Sequence, residues 1–299
     1  MNNYIVRAIA RKAGIRGLAC NVSEIVQVTA RRHQATSTSA AVLGYGLTGA
    51  ALLGSLLKVR QHIAIKIEGS SLLRKLVAES DSYGHIRAYI TPTDIPGQLA
   101  VGPTEVAAAV GQEGLLTVVK DLGVKDLYES VVPIQTGRLD ADLTYYLMKS
   151  EQVPSFVEIG VPVGKAGTVH AAGGLLLQTM PDGDVSVLSQ MAERLDDLPP
   201  LGEMLAAGET PEHVLELVFG GETYEVLETI PLQFRCSCSR ERSERAIRLI
   251  GAEEVAALVE DGEAIIDCQF CHERYIFDRA ELSAILDELQ HESTESRTQ

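Results

Sequence analysis

The residues of this 299-residue chain with the most chemistry in their spacing are four cysteines near its C-terminal end. Cys236-Ser237-Cys238 and Cys268-Gln269-Phe270-Cys271 form a C-x-C and a C-x-x-C with 29 residues between them. Four thiolates in two close pairs can complete a tetrahedral zinc shell. The same pairs can also close two short-range disulfides. A C-x-x-C turn aims both sulfurs at one point, whereas residues i and i+2 of an extended C-x-C face the same side. Most four-cysteine zinc sites only staple a fold. Two features add a redox reading here. Arg235, Arg240, Arg242 and Arg245 surround the first pair and could favour thiolates. A C-x-C disulfide closes a very small loop, so it is expected to be strained and readily reduced. His272 follows Cys271 and could compete as a ligand, but four thiolates already close the shell, which places it beside the site. Cys20 has no near partner and reads as a buried small hydrophobe.

No H-E-x-x-H, G-x-S-x-G, Walker A or separated carboxylate signature occurs, so catalysis has no good candidate outside the thiols and no enzyme is expected beyond them. Gly44-Tyr45-Gly46-Leu47-Thr48-Gly49 matches G-x-G-x-x-G letter for letter. A dinucleotide site needs a strand before it. Thr36-Ser37-Thr38-Ser39-Ala40 is a helix start instead, so these small residues are expected to serve close helix packing. Arg31-Arg32-His33 is the tightest basic cluster, and a helix-end role is preferred for it over anion contact. Aromatic content is 5% with no Trp, which argues against a base-stacking platform.

The formal charge of −15 is uneven. Residues 1–180 carry net +3, while residues 181–299 carry net −18 and no Lys. An acidic half with a metal module argues against phosphate-backbone binding, so no nucleic-acid partner is expected. It reads as a solubilising half, or as one that docks on the mildly basic first half. The N-terminal MNNYIVRAIARK lacks a sustained apolar stretch, so no export signal is read and a reducing, cytoplasmic setting is expected. Ala40 to Leu57 is 18 residues without a charge, but its four glycines predict a buried core helix rather than a membrane span.

The elements that must position the cysteines read as α+β. Residues 1–180 predict a mixed, largely antiparallel sheet with helices. Ile63, Ile65 and Ile67 line one face of a strand, with 84–90 as its neighbour. Further strands are predicted at 115–120, 131–135, 156–163 and 169–180, and helices at 38–58, 70–78, 104–110 and 140–149. Pro181-Asp182-Gly183-Asp184 breaks the pattern, and residues 181–232 read as an acidic helical linker. Its apolar residues Met191, Leu195, Leu198, Val214, Leu215 and Val218 fall at helical spacing and need a surface to cover. Residues 233–290 form a small C-terminal module. In it Ser239 caps a helix to Leu249, Glu253 to Val259 is a second helix, and a hairpin carries the C-x-x-C. Asp278-Arg279-Ala280-Glu281 is a capping box for a last helix to about Leu289, and residues 291–299 read as a polar, irregular tail.

With these residues in view, the chain resembles the heat-shock protein 33 family of bacterial redox-regulated holdase chaperones. The likeness rests on Phe234-Arg235-Cys236-Ser237-Cys238-Ser239-Arg240-Glu241-Arg242 and the C-x-x-C. It extends to Arg31-Arg32-His33, Ile65-Lys66-Ile67-Glu68-Gly69, Val118-Val119-Lys120-Asp121-Leu122-Gly123 and Thr144-Tyr145-Tyr146-Leu147. Ser150-Glu151-Gln152-Val153-Pro154-Ser155 and Ala171-Ala172-Gly173-Gly174 complete it, over about residues 3–290. The resemblance implies a cytoplasmic stress-response protein with one zinc per chain on Cys236, Cys238, Cys268 and Cys271, inactive while reduced. Oxidation would form Cys236–Cys238 and Cys268–Cys271 disulfides, release zinc and unfold the module and linker. The active form would be a homodimer that holds unfolding client proteins without ATP and is reset by cellular thiol reductants. On the residues alone two other classes stay open: a thiol-disulfide oxidoreductase, and a nucleic-acid-binding protein with a purely structural zinc.

Overall fold

The uncharged glycine-rich segment becomes the centre of the fold. In the computed structural model, which describes residues 3–97, 101–181 and 183–296, it is a helix whose every residue from Ser37 to Gly54 is buried. The Thr36 side chain caps it by accepting from the Ser39 amide. The three glycines of the fingerprint match are contact points. A Cβ on Gly44 would lie 2.5 Å from Val161, on Gly46 2.8 Å from Leu76, and on Gly49 2.7 Å from Leu143. No helix among the described residues is long and apolar enough to cross a membrane.

The strands run β1 (Tyr4–Ala10), β2 (Ile15–Asn21), β3 (His62–Gly69), β4 (Lys75–Asp81), β5 (His85–Thr91), β6 (Gly114–Asp121), β7 (Tyr128–Pro133), β8 (Ser155–Gly160), β9 (Gly173–Thr179), β10 (Glu225–Pro231), β11 (Gln233–Phe234), β12 (Glu263–Asp267) and β13 (Arg274–Asp278). The helices are α1 (Ser23–Arg32), α2 (Ser37–Gly54), α3 (Pro103–Val110), α4 (Leu139–Lys149), α5 (Val185–Asp196), α6 (Leu201–Ala206), α7 (Pro211–Phe219), α8 (Arg240–Ile250), α9 (Ala252–Asp261) and α10 (Arg279–Ser296). The chain divides into two compact units, one ending at Arg235 and one beginning at Cys236.

The first unit holds a five-stranded antiparallel sheet, β10-β1-β2-β9-β8, and a six-stranded sheet, β11-β5-β4-β3-β6-β7, in which only the β11–β5 pairing is parallel. Helix α2 packs between the two sheets, in one core with Leu18, Cys20 and Leu176 from one and Ile63, Ile65, Leu76 and Ile86 from the other. The opposite face of the five-stranded sheet forms a second core with α5–α7, where Met191, Leu195, Val214, Leu215 and Val218 meet Val6, Ala8, Leu175 and Leu177. The acidic stretch after residue 180 thus covers apolar sheet surface, which is its main stabilisation. Cys20 is 1% exposed, and burial pushes its thiol up to about 12.

Three readings are corrected and one element is added. Residues 75–81, inside the predicted 70–78 helix, form strand β4, which lies between β3 and β5. Its buried Leu76, Ala78 and Ser80 recur at period two, and the Asp81–Gly84 turn closes the hairpin. The end of the 181–232 segment, read as helical, is strand β10 on the edge of β1. Its Glu225 and Glu228 pair with Arg11 and Arg7 at 3.1 and 3.0 Å, so acidic residues find basic ones there. The last helix passes Leu289 and runs to Ser296, replacing the irregular tail expected over 291–296; residues 297–299 lie outside the described residues. Finally, the N-terminal β1–β2 hairpin had no sequence assignment. Asp182, in the predicted break, also lies outside the described residues. Arg31 and Arg32 close the last turn of α1 with His33 as its C-cap, the expected helix-end role.

Candidate metal centre

The second unit is small. Helices α8, α9 and α10 and the β12–β13 hairpin share a core of Ile247, Val255, Ala264, Phe277, Leu282 and Ile285. Its local signals act as the sequence implies. Ser239 accepts from the Arg242 amide and starts α8, while Asp278 and Glu281 exchange capping bonds at the start of α10. The Arg242 guanidinium turns back to the Ser237 carbonyl and hydroxyl at 2.9 and 2.8 Å, bracing the C-x-C loop. The C-x-x-C sits in the hairpin turn. There the Cys268 amide donates to Glu273 O at 2.9 Å, and the His272 amide to Cys268 O at 2.8 Å. His272 takes φ +57°, and the bidentate Asp267–Arg274 pair closes the strands beneath.

This geometry brings together Cys236, Cys238, Cys268 and Cys271, all four sulfurs lying within 4.8 Å of one another. Two sulfur–sulfur contacts run across the motifs: Cys236 to Cys268 at 3.6 Å and Cys238 to Cys271 at 3.3 Å. Zinc–sulfur bonds of about 2.3 Å in a tetrahedron put sulfurs about 3.8 Å apart, so the cluster has the size of a four-thiolate metal site. His272 is not part of the group. Cys271 is buried and the other three are half-buried.

The four thiols are not equivalent. At Cys236 burial works upward, but the Cys238 amide and the sulfurs of Cys238, Cys268 and Cys271 outweigh it and bring the thiol down to about 7. At Cys271 burial, aided by the neighbouring sulfurs, pushes the thiol well up, and burial raises Cys268 too. Hydrogen bonds from the neighbouring cysteines thus favour the ionised form of Cys236.

Three of the four arginines read as the source of thiolate character have other work. Arg240 pairs with Glu281 at 2.6 Å and stacks over Phe277, and Arg242 is engaged on Ser237. Arg235 contacts His85 at 3.3 Å. None is a named cause of the Cys236 shift. The residue that sequence reasoning missed is Tyr275, whose hydroxyl donates to the Cys238 sulfur at 3.3 Å. Its signal was there: it is the first inward apolar residue of the strand leaving the C-x-x-C, with a polar tip that needs a partner.

Fold and site together define a class: a two-sheet α+β unit in the same chain as a small module whose four thiolates could hold a metal ion. A sequence model of the family described as Hsp33 protein matches residues 3–278. The chain is 42% identical to the 33 kDa chaperonin of Geobacter sulfurreducens over 290 residues, 97% of this chain and 96% of that one. It is 39% identical to the 33 kDa chaperonin of Geobacillus kaustophilus, across 95% of this chain and 98% of the other. Among solved structures, the 33 kDa chaperonin (heat shock protein 33 homolog) of Thermotoga maritima superposes with a TM-score of 0.88 at 30% identity, covering 96% of this chain and 98% of that one. The chain belongs to the Hsp33 family.

Proposed function

We propose that this protein is a redox-regulated, ATP-independent holdase that keeps unfolding proteins from aggregating under oxidative and heat stress. The observation that carries the reading is the convergence of four cysteine sulfurs within 4.8 Å in a module with very little core of its own. The names of the 33 kDa chaperonins it resembles support the chaperone half of the proposal. Zinc, one per chain, would supply the folding free energy of the module, roughly 10–16 kcal/mol in comparable small sites. Cys236, Cys238, Cys268 and Cys271 would hold it in the reduced, inactive state. Peroxide then draws two electrons from each pair of thiols, closing Cys236–Cys238 and Cys268–Cys271 and leaving water. Four thiolate ligands are lost, and a module without its staple unfolds. Release of the 181–232 segment would uncover the apolar face of the five-stranded sheet and the stripes of α5 and α7, the kind of surface that binds unfolding chains. The active species is proposed to be a cytoplasmic homodimer, reset by cellular thiol reductants.

Zinc stoichiometry and disulfide mapping before and after peroxide at mildly raised temperature, run beside an aggregation assay, test this. The expected result is loss of one zinc per chain, the two within-motif disulfides, and onset of aggregation suppression. Because close sulfur contacts also run across the motifs, Cys236–Cys268 and Cys238–Cys271 disulfides would refute the pairing. Retained zinc and unchanged activity after full thiol oxidation would refute the switch.

A further inference from the structure

A half-buried cation in the first unit has no ion-pair partner among the described residues. Arg16, on β2, lines a cavity of about 210 Å³ walled by the C-terminal end of α2, the beginning of β3, the end of β6 and the turn after α4. Its Nη2 donates to the side-chain oxygen of Gln178, which is 2% exposed. Gln178 Nε2 donates in turn to Ser155 Oγ at 3.0 Å, and that hydroxyl to Val153 O at 2.9 Å. This relay fixes both the amide and the guanidinium. Arg16 Nε–H, however, is buried and has no acceptor. Burial, with the Arg7 guanidinium nearby, lowers the Arg16 pKa, the mark of a cation lacking compensation. The other charges of the lining cancel: Lys120 Nζ lies 2.7 Å from Glu151, which also accepts from the Tyr146 hydroxyl.

Buried charges are normally paired, and an orphaned buried donor in a native fold calls for an explanation. Arg16 lines a cavity whose remaining wall is mainly aliphatic, with Leu53, Leu57 and Leu147 among it. A planar guanidinium suits the two oxygens of a carboxylate. One excess positive charge matches a monoanion, whereas a phosphate dianion would leave negative charge beside Glu151. The volume falls below the roughly 300–1,000 Å³ of pockets for drug-sized ligands.

We propose that this cavity is a binding site for a short-chain aliphatic carboxylate, its head on Arg16 and its tail against Leu53, Leu57 and Leu147. The test is calorimetric titration of the full-length, reduced protein with hexanoate, and in parallel with hexanol, acetate and inorganic phosphate. Saturable 1:1 binding of hexanoate is expected, with the other three probes weaker by about tenfold or more, the worth of a charge-assisted hydrogen bond. Arg16→Gln should weaken hexanoate to the same degree. It should also melt higher than the wild type without ligand, because an uncompensated charge is gone, and lose the hexanoate-induced rise in Tm. In the wild-type chain the Arg16 Nε–H resonance should move on titration, a readout that needs no variant. No saturable hexanoate binding, equal affinity for hexanol, an unmoved Arg16 signal, or undiminished binding by Arg16→Gln would each overturn the proposal.

Discussion

Residues 3–235 and residues 236–296 are built from the same kinds of elements and differ in what holds them. The first unit buries an entire 18-residue helix between two sheets and covers a second sheet face with α5–α7, so most of its large apolar residues are fully enclosed. Among the described residues, the second closes over a core of six buried apolar residues, with Phe277 the largest of them. Folding entropy grows with every ordered residue, while hydrophobic gain grows with buried area, so small units run out of margin first. A unit of the first kind can lose a contact and stay folded. In the second, four clustered cysteines lie outside a core of only six buried apolar residues.

The sharpest way to break this comparison is to strip metal from the reduced protein with a chelator. Amides of residues 240–285 should lose their hydrogen-exchange protection, while those of α2 keep theirs. The expected effect on the small unit is roughly 10–16 kcal/mol, more than such a unit possesses. Uniform protection, or uniform loss, would erase the distinction between the units. Next in size is a matched pair, Phe219→Ala and Phe277→Ala, each removing about 3–5 kcal/mol. In the first unit denaturant unfolding should shift to lower concentration with the fold retained. In the second, metal should be surrendered to a weaker chelator. Tyr275→Phe, which deletes the hydroxyl on the Cys238 sulfur, is expected to lower metal affinity by about 10- to 100-fold, measured by chelator competition. Equal affinity would mean that this hydrogen bond has no part in holding the metal.

The smallest effect concerns pH and the first unit. Burial alone would raise the Asp81 carboxyl, but hydrogen bonds from the His85 ring and from the His85 and Tyr83 amides prevail and hold it below the usual carboxylate range. A depressed acid stabilises the fold above its unfolded pKa of about 3.9, and that contribution is lost as pH falls through the lower folded value. Asp81→Asn should therefore lower stability at pH 6 and flatten its decline below about pH 4, as read from denaturant midpoints at each pH. An unchanged pH slope would show that the turn holds without this charge.

How much was legible follows from where each signal resides. The cysteine spacing, the cap at Ser239, the capping box at Asp278–Glu281 and the alternation of Ile63, Ile65 and Ile67 are local patterns, and each became the element it implied. The glycines at 44, 46 and 49 were legible as packing positions because a helix start precedes them, although the partners Val161, Leu76 and Leu143 were not. Strand β10 was missed because its stability comes from β1, more than two hundred residues earlier, whose arginines its glutamates meet. Arg240 and Arg242 were misread for a similar reason. Proximity to a cysteine in sequence does not say that a guanidinium will turn to Glu281 or to Ser237 instead.

By itself, then, the sequence determined the candidate ligand set, the family and the chemistry available to four thiols, because those depend on residue type and short spacing. Only the tertiary structure decided that the two motifs converge, that sulfur contacts cross between them, that Tyr275 touches one sulfur, and that Arg16 lines a cavity without a counter-ion among the described residues. These are contacts between residues far apart in the chain. Short-range pattern carries no record of them, and they come into being only when the cores on either side have closed.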